Sequence, residues 1–166
     1  MKLNLELQNK TNAKFADKKL LTQVGKQVLK IFNQAEACVS LTIFYVDENE
    51  IKQINKNYRN IDKITDVISF RLIDNPKNLP ITKENFLLDY DEASKTIYLG
   101  EIFICEQVAT KQASEFENTP FREALELFIH GFLHILGCDH HEEKETLIMK
   151  NYEEQMIKYL NEKNIM

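Results

Sequence analysis

All four histidines of the chain fall within one short stretch, HGFLHILGCDHH. His130 and His134 are four residues apart in a segment of helical periodicity, so both imidazoles leave the same face. That spacing suits two ligands of one tetrahedral metal ion. Gly137 permits the positive φ that turns a chain back after a helix, which lets His140 return as a third ligand. Three protein nitrogens leave a fourth position open, the pattern of a catalytic rather than a structural zinc site. Neutral imidazoles favour Zn2+, one per chain, over magnesium or calcium, which prefer oxygen. The chemistry such a centre serves is hydrolysis.

The neighbours of the cluster are less decisive. Asp139 either accepts a hydrogen bond from the second ring nitrogen of a ligand or caps the helix that starts near His141. His141 is expected to point away from the metal, and Cys138 to act as a small apolar filler. The spacing H-x-x-x-H-x-x-G-x-x-H is similar to that of metzincin proteases, in which a glutamate after the first histidine is the general base. Here that position is Gly131, which argues against peptide hydrolysis by that route. Glu126, four residues before His130, reads as a solvated face residue.

These residues need a scaffold. MKLNLELQNK alternates polar and apolar residues like an edge strand. Residues 14–32 have helical spacing, and CVSLTIFYV is short, β-branched and aromatic, the pattern of a buried strand. Ile51, Ile54 and Tyr58 imply a short helix, and TDVISF (Thr65 to Phe70) a second core strand. From Arg71 to Ser94 the pattern breaks into a loop containing Pro76 and Pro80. TIYLGEIFIC is a further strand. Helices are expected over 106–116, from the Thr119-Pro120 cap to Gly137, and over about 142–160. The fold class is therefore α+β: a single domain over residues 1–166, with a small mixed sheet packed by helices and the zinc site on the helix carrying His130 and His134.

The 166 residues carry a formal net charge of −5, which excludes broad, non-specific nucleic-acid binding but not a local basic strip. Lys52, Lys56, Arg59, Lys63 and Arg71 form such a strip, whereas the segment after His141 is acidic, so the charge is segregated along the chain. No stretch has the length and apolarity of a membrane span, and no apolar leader opens the sequence, so a cytoplasmic location is expected. Cys38, Cys105 and Cys138 form no CxxC pair, and reduced thiols without a disulfide-linked partner are expected.

With HGFLHILGCDH, INKNYRNIDKITDVISF and LGEIFI, the sequence resembles the YbeY family of bacterial endoribonucleases. Ile135 and Ile68 stand for leucines of the family pattern and Glu101 for an aspartate. Arg71 stands where a proline is usual, and the 71–94 segment is longer than typical. The resemblance implies a single zinc held by three histidines and RNA as substrate. It also implies a part in maturing the 3′ end of small-subunit (16S) ribosomal RNA, ribosome quality control and contact with the preribosomal small subunit. The family arginine maps onto Arg59, whose guanidinium offers phosphate two parallel donors where the charge of the transition state builds. Lys56 and Lys63 would steer phosphates, and the acidic helix after His141 would lie away from the RNA. Thr65, Asp66 and Ser69 would line the cleft, or else merely start the strand. Tyr58 could stack on a base, with core packing the favoured role. The competing expectations are a non-catalytic ribosome-assembly factor whose zinc stabilises an RNA-docking face, and a metalloprotease.

Overall fold

The computed structural model describes residues 2–32, 36–74 and 80–165. Strand β1 (Leu3–Asn9) leads into helix α1 (Lys18–Phe32) and strand β2 (Val39–Val46). Helix α2 (Glu48–Arg59) and strand β3 (Val67–Arg71) follow, then the two-residue β4 (Tyr90–Asp91) and the long β5 (Thr96–Cys105). Three helices close the chain: α3 (Glu106–Glu115), α4 (Pro120–Ile135) and α5 (Glu143–Glu162). The α+β expectation holds, including β1 at a sheet edge.

The sheet order is β1-β2-β5-β3, with β4 also paired to β5. β1, β2 and β5 are parallel, whereas β3 and β4 run antiparallel to β5. Alternation along the strands sorts the side chains onto two faces. Leu3, Leu5, Leu41, Ile43, Ile97 and Ile102 join α1, α4 and α5 in the main core. Val46, Ile51, Ile68, Phe103 and Cys105 form a smaller cluster under α2. Each fully buried Leu, Ile or Phe contributes about 1.5–3 kcal/mol of transfer free energy, so these two clusters fix which way each element faces.

Two local devices depart from simple patterns. Between β2 and β5 the register steps from Ser40↔Tyr98 to Leu41↔Gly100, which leaves Leu99 as a bulged residue. The bulge lets Ile97 and Leu99 point into the core at odd positions, and Ile102 and Ile104 at even ones. Helix α1 starts at Lys18 rather than near Lys14, because Asp17 accepts the Leu20 N–H and opens the helix there. Phe15 is left outside the helix, edge-on to Tyr45.

Helix α4 is the central column of the fold. Thr119 caps it by accepting the Arg122 N–H, and Pro120 occupies its first position, as the sequence pattern requires. Arg122 is buried and bonds Glu126, the Asn161 side chain and the Ile165 carbonyl. That clamp fixes α5 against α4. Part of the 71–94 segment, residues 75–79, lies outside the described residues; β4 is an element that its pattern did not reveal.

Candidate metal centre

His130 and His134 project from one face of α4, with their Nε2 atoms 3.1 Å apart. Past α4, Gly137 takes φ 97° and the chain reverses, as the glycine predicted. The reversal brings the His140 ring centroid 5.0 Å from that of His134 and 6.2 Å from that of His130. One ligand nitrogen from each of the three histidines lies within 4.8 Å of the others, a group able to hold a metal ion. Tetrahedral zinc at its usual Zn–N distance sets ligand nitrogens about 3.3 Å apart, close to the His130–His134 spacing.

The tautomers follow from the second nitrogens. His134 Nδ1 lies 2.9 Å from the Cys138 carbonyl, which can only accept, so this nitrogen carries the proton. His130 Nδ1 lies 2.7 Å from Glu153 Oε1, whose carboxylate likewise accepts. With a proton on each Nδ1 and none on Nε2, the two Nε2 atoms would present lone pairs to each other at 3.1 Å. Such a pair is reconciled by a proton shared between the rings or by a metal ion between them. The donor set thus fits a soft or borderline metal ion. Burial first, and the neighbouring His130 next, hold the His134 ring below the usual imidazolium pKa, which keeps it neutral and ready to ligate.

Gly131 explains why the protease base is missing. It packs against the sheet, where an added Cβ would lie 3.1 Å from Ile102 Cγ2 and 3.4 Å from Val67 Cγ2. A glutamate there would enter the core rather than reach the metal. Glu126 pairs with Arg122 at 2.8 Å instead of standing free in solvent.

A cleft of about 490 Å³ opens beside the histidines. It is lined by His130, His134 and His140 together with Arg59, Asp66, Ser69 and Asp139 from the sequence expectations. Lys56, Lys63 and Thr65 are not among its lining residues. Lys56 makes a long, exposed pair with Asp62, and the Lys63 carbonyl accepts from Asn55 Nδ2 at 2.8 Å. Arg59 ends α2 just before Asn60, whose left-handed conformation (φ 57°) turns the chain toward β3. Buried Asn55 ties that turn down through Lys63.

Asp66 has structural partners as well: it accepts from the Val67 N–H and from Gln112 Nε2. Asp139 accepts the His140 N–H and approaches His141 Nε2 at 3.2 Å. The second nitrogens of His130 and His134 are held by Glu153 and Cys138 instead. His141 is exposed but lines the cleft. Tyr58 is 73% exposed and only edges onto Phe70, so it is not a core residue.

Three participants escaped the sequence reading. Glu153 comes from α5, the helix expected to lie away from the site, and no spacing signal links it to His130 across 23 positions. The Cys138 carbonyl belongs to the backbone and leaves no trace in residue types. Arg71 also lines the cleft; in the sequence it registered as part of the basic strip and as a departure from proline, not as a site residue. The three cysteines are free thiols, and no helix among the described residues is long and apolar enough to cross a membrane.

Residues 4–161 match the family model described as Endoribonuclease YbeY. The Endoribonuclease YbeY of Clostridium botulinum is 35% identical over 165 residues, covering 97% of this chain and 92% of its own. That of Caldicellulosiruptor bescii is 37% identical over 141 residues, 84% of either chain. A solution structure from Thermotoga maritima superposes with a TM-score of 0.57 at 25% identity, covering 96% of this chain and 93% of that one. Sequence and fold agree over nearly the whole length, and the chain belongs to the YbeY endoribonuclease family.

Proposed function

We propose that this chain is a zinc-dependent, single-strand-specific endoribonuclease. It acts in the cytoplasm on the preribosomal small subunit, in maturing the 3′ end of 16S ribosomal RNA and in ribosome quality control. The observation that carries the reading is the cluster of three histidine ligand nitrogens within 4.8 Å of one another, with the Nδ1 atoms of His130 and His134 already held by Glu153 and the Cys138 carbonyl.

In this reading His130, His134 and His140 hold the ion. Bound zinc supplies Lewis-acid stabilisation of charge on a phosphoryl oxygen. Arg59 faces the same cleft and gives the phosphate two parallel donors, so it takes up negative charge as the transition state forms. Ser69 and Asp66 bound the cleft on the strand side and orient the sugar–phosphate chain. Asp139 acts behind the metal site by fixing the backbone of His140. Lys56 and Lys63 steer the RNA from outside the cleft.

The attacking oxygen is either water or the RNA's own 2′-hydroxyl, and the product decides between them. A 2′,3′-cyclic phosphate assigns the hydroxyl, whereas a linear phosphate formed directly assigns water.

The test measures metal content and cleavage of a small-subunit 3′-end RNA on one preparation, comparing wild type with Arg59→Glu. Near one zinc per chain in both, with cleavage in wild type alone, is the expected result. Zinc in both with cleavage by neither, on naked RNA and on preribosomes, would overturn the nuclease reading in favour of an RNA-docking assembly factor.

A further inference from the structure

We propose that Arg71 builds a second phosphate subsite in the metal cleft, which takes the phosphodiester next to the one that is cut. The inference rests on the nuclease reading above and names how that site grips its substrate.

Strand geometry puts Arg71 on the correct face. Val67, Ser69 and Arg71 alternate along β3, so their side chains share one side of the sheet. Val67 identifies that side, because its Cγ2 packs at the Gly131 position of α4, the helix that carries His130 and His134. Ser69 and Arg71 therefore continue the row past the metal ligands, and both line the same cleft. Arg59 reaches that cleft by a different route, from the end of α2. Two guanidinium groups thus converge on one cavity from separate elements.

The Arg71 backbone is held in place. Arg71 pairs with Gly100 in the β3–β5 ladder. Gly100 has φ 151°, and a Cβ there would collide with the Phe70 carbonyl and stand 3.3 Å from Arg71 Cα. Only glycine lets the end of β3 close onto β5 at this point. The strand that presents Arg71 is therefore fixed relative to the sheet that supports α4.

Only three of the 21 lysine and arginine residues are arginine. The chain uses lysine for its solvated charges, and Arg122 shows what it reserves the planar fork for. Buried Arg122 bonds a carboxylate, a side-chain amide and main-chain carbonyls. The other two arginines both line the metal cleft, and among the described residues neither forms an ion pair with a carboxylate. Asp66 and Asp139 also border the cleft, but the partners described for Asp66 are the Val67 N–H, the Thr65 hydroxyl and Gln112, and Asp139 contacts His140 and His141. In a protein of net charge −5, two unpaired forks facing one cavity suit a dianionic stretch of RNA backbone.

The test compares wild type, Arg71→Ala and Arg71→Lys on a single-stranded RNA substrate, with metal content and denaturation midpoint as controls. KM and kcat are measured from about 50 mM to about 200 mM salt. For Arg71→Ala, zinc content and midpoint should match wild type. KM should rise about tenfold at low salt, the effect of a charged hydrogen bond discounted for exposure, while kcat at saturation stays within about twofold. The log–log salt slope of kcat/KM should flatten by about 0.7, one phosphate contact on a single strand. Arg71→Lys should restore the slope but recover KM only in part, because an ammonium lacks the fork. A wild-type enzyme that cleaves, with Arg71→Ala equal to it in KM and slope, overturns the subsite and leaves the nuclease reading intact. A fall in kcat with KM and slope unchanged also overturns it, because Arg71 would then act at the scissile phosphate. If wild type neither binds nor cleaves RNA, the nuclease reading itself fails and the subsite fails with it.

Discussion

Glu153 Oε1 lies 2.7 Å from His130 Nδ1 and so ties helix α5 to a ligand on α4. The carboxylate fixes the proton on Nδ1 and turns Nε2 toward His134 and His140. Such a carboxylate partner orients a ligating ring toward its metal. The last helix therefore does more than cover the core. The Arg122 clamp, which joins α4 to Asn161 and Ile165, holds α5 in the position that lets Glu153 reach.

Removing that carboxylate should weaken the metal site without unfolding it. Glu153→Ala is expected to lose about 10–100-fold in zinc affinity, measured by competition with a coloured chelator. Glu153→Gln keeps an acceptor oxygen for His130 but not the charge, and should fall between the two. Wild-type affinity in Glu153→Ala would remove Glu153 from any positioning role.

Restoring the protease glutamate should fail. In Gly131→Glu the new side chain meets Ile102 and Val67 on the sheet and buries an unpaired carboxylate. A loss of roughly 3 kcal/mol or more in unfolding free energy is expected, with no peptide cleavage. A stable variant that cut unfolded protein would mean that the helix can rotate its face toward the metal.

Asn55 anchors the turn that carries Arg59, through a 2.8 Å bond to the Lys63 carbonyl. In Asn55→Ala that carbonyl loses its partner, which costs about 1–3 kcal/mol. The displaced turn should lower RNA cleavage by about tenfold to a hundredfold, because small misplacements of a phosphate clamp are expensive. Zinc content should not change, since α4 is untouched. Unaltered kcat/KM would show that the turn holds Arg59 without this bond.

Some of this site could be read from the sequence because its signals are local. The spacing of His130 and His134, the glycine before His140 and the Thr119-Pro120 start each reflect a backbone rule that acts within a few residues. The missing parts depend on contacts over long separations. Glu153 meets His130 because α5 docks on α4, through Arg122 and through the buried Met149, Met156 and Leu160, and the Cys138 carbonyl contributes a backbone atom whose role does not depend on residue type. The same division holds in the scaffold. β5 was visible as a β-branched and aromatic run, but the bulge at Leu99 that lets both Ile97 and Ile102 point inward emerges only from its pairing with β2. Tyr58 misled because its helical spacing with Ile51 and Ile54 suggested a shared buried face. Helix α2 ends at Arg59, however, and its last turn projects past the small cluster into solvent.

Glu123 supplies a pH signature of the fold that is separate from catalysis. This side chain is buried near the start of α4, and Asn118 Nδ2 donates to it. Burial first, then the charges of Glu126 and Asp66, raise its carboxyl above the usual carboxylate pKa. A raised folded-state pKa means that the native protein holds this proton more tightly than the unfolded chain. Its contribution is complete below the unfolded pKa and is lost as pH rises through the folded one. At neutral pH the ionised group therefore costs stability. Glu123→Gln keeps the acceptor for Asn118 and removes the charge, so its thermal midpoint should exceed that of wild type at neutral pH. The gap should close as pH falls through the carboxylate range and wild type takes up the proton. Matched melting curves of the two proteins across pH check this, and a gap that widens on acidification would show that the Glu123 charge is compensated in the fold.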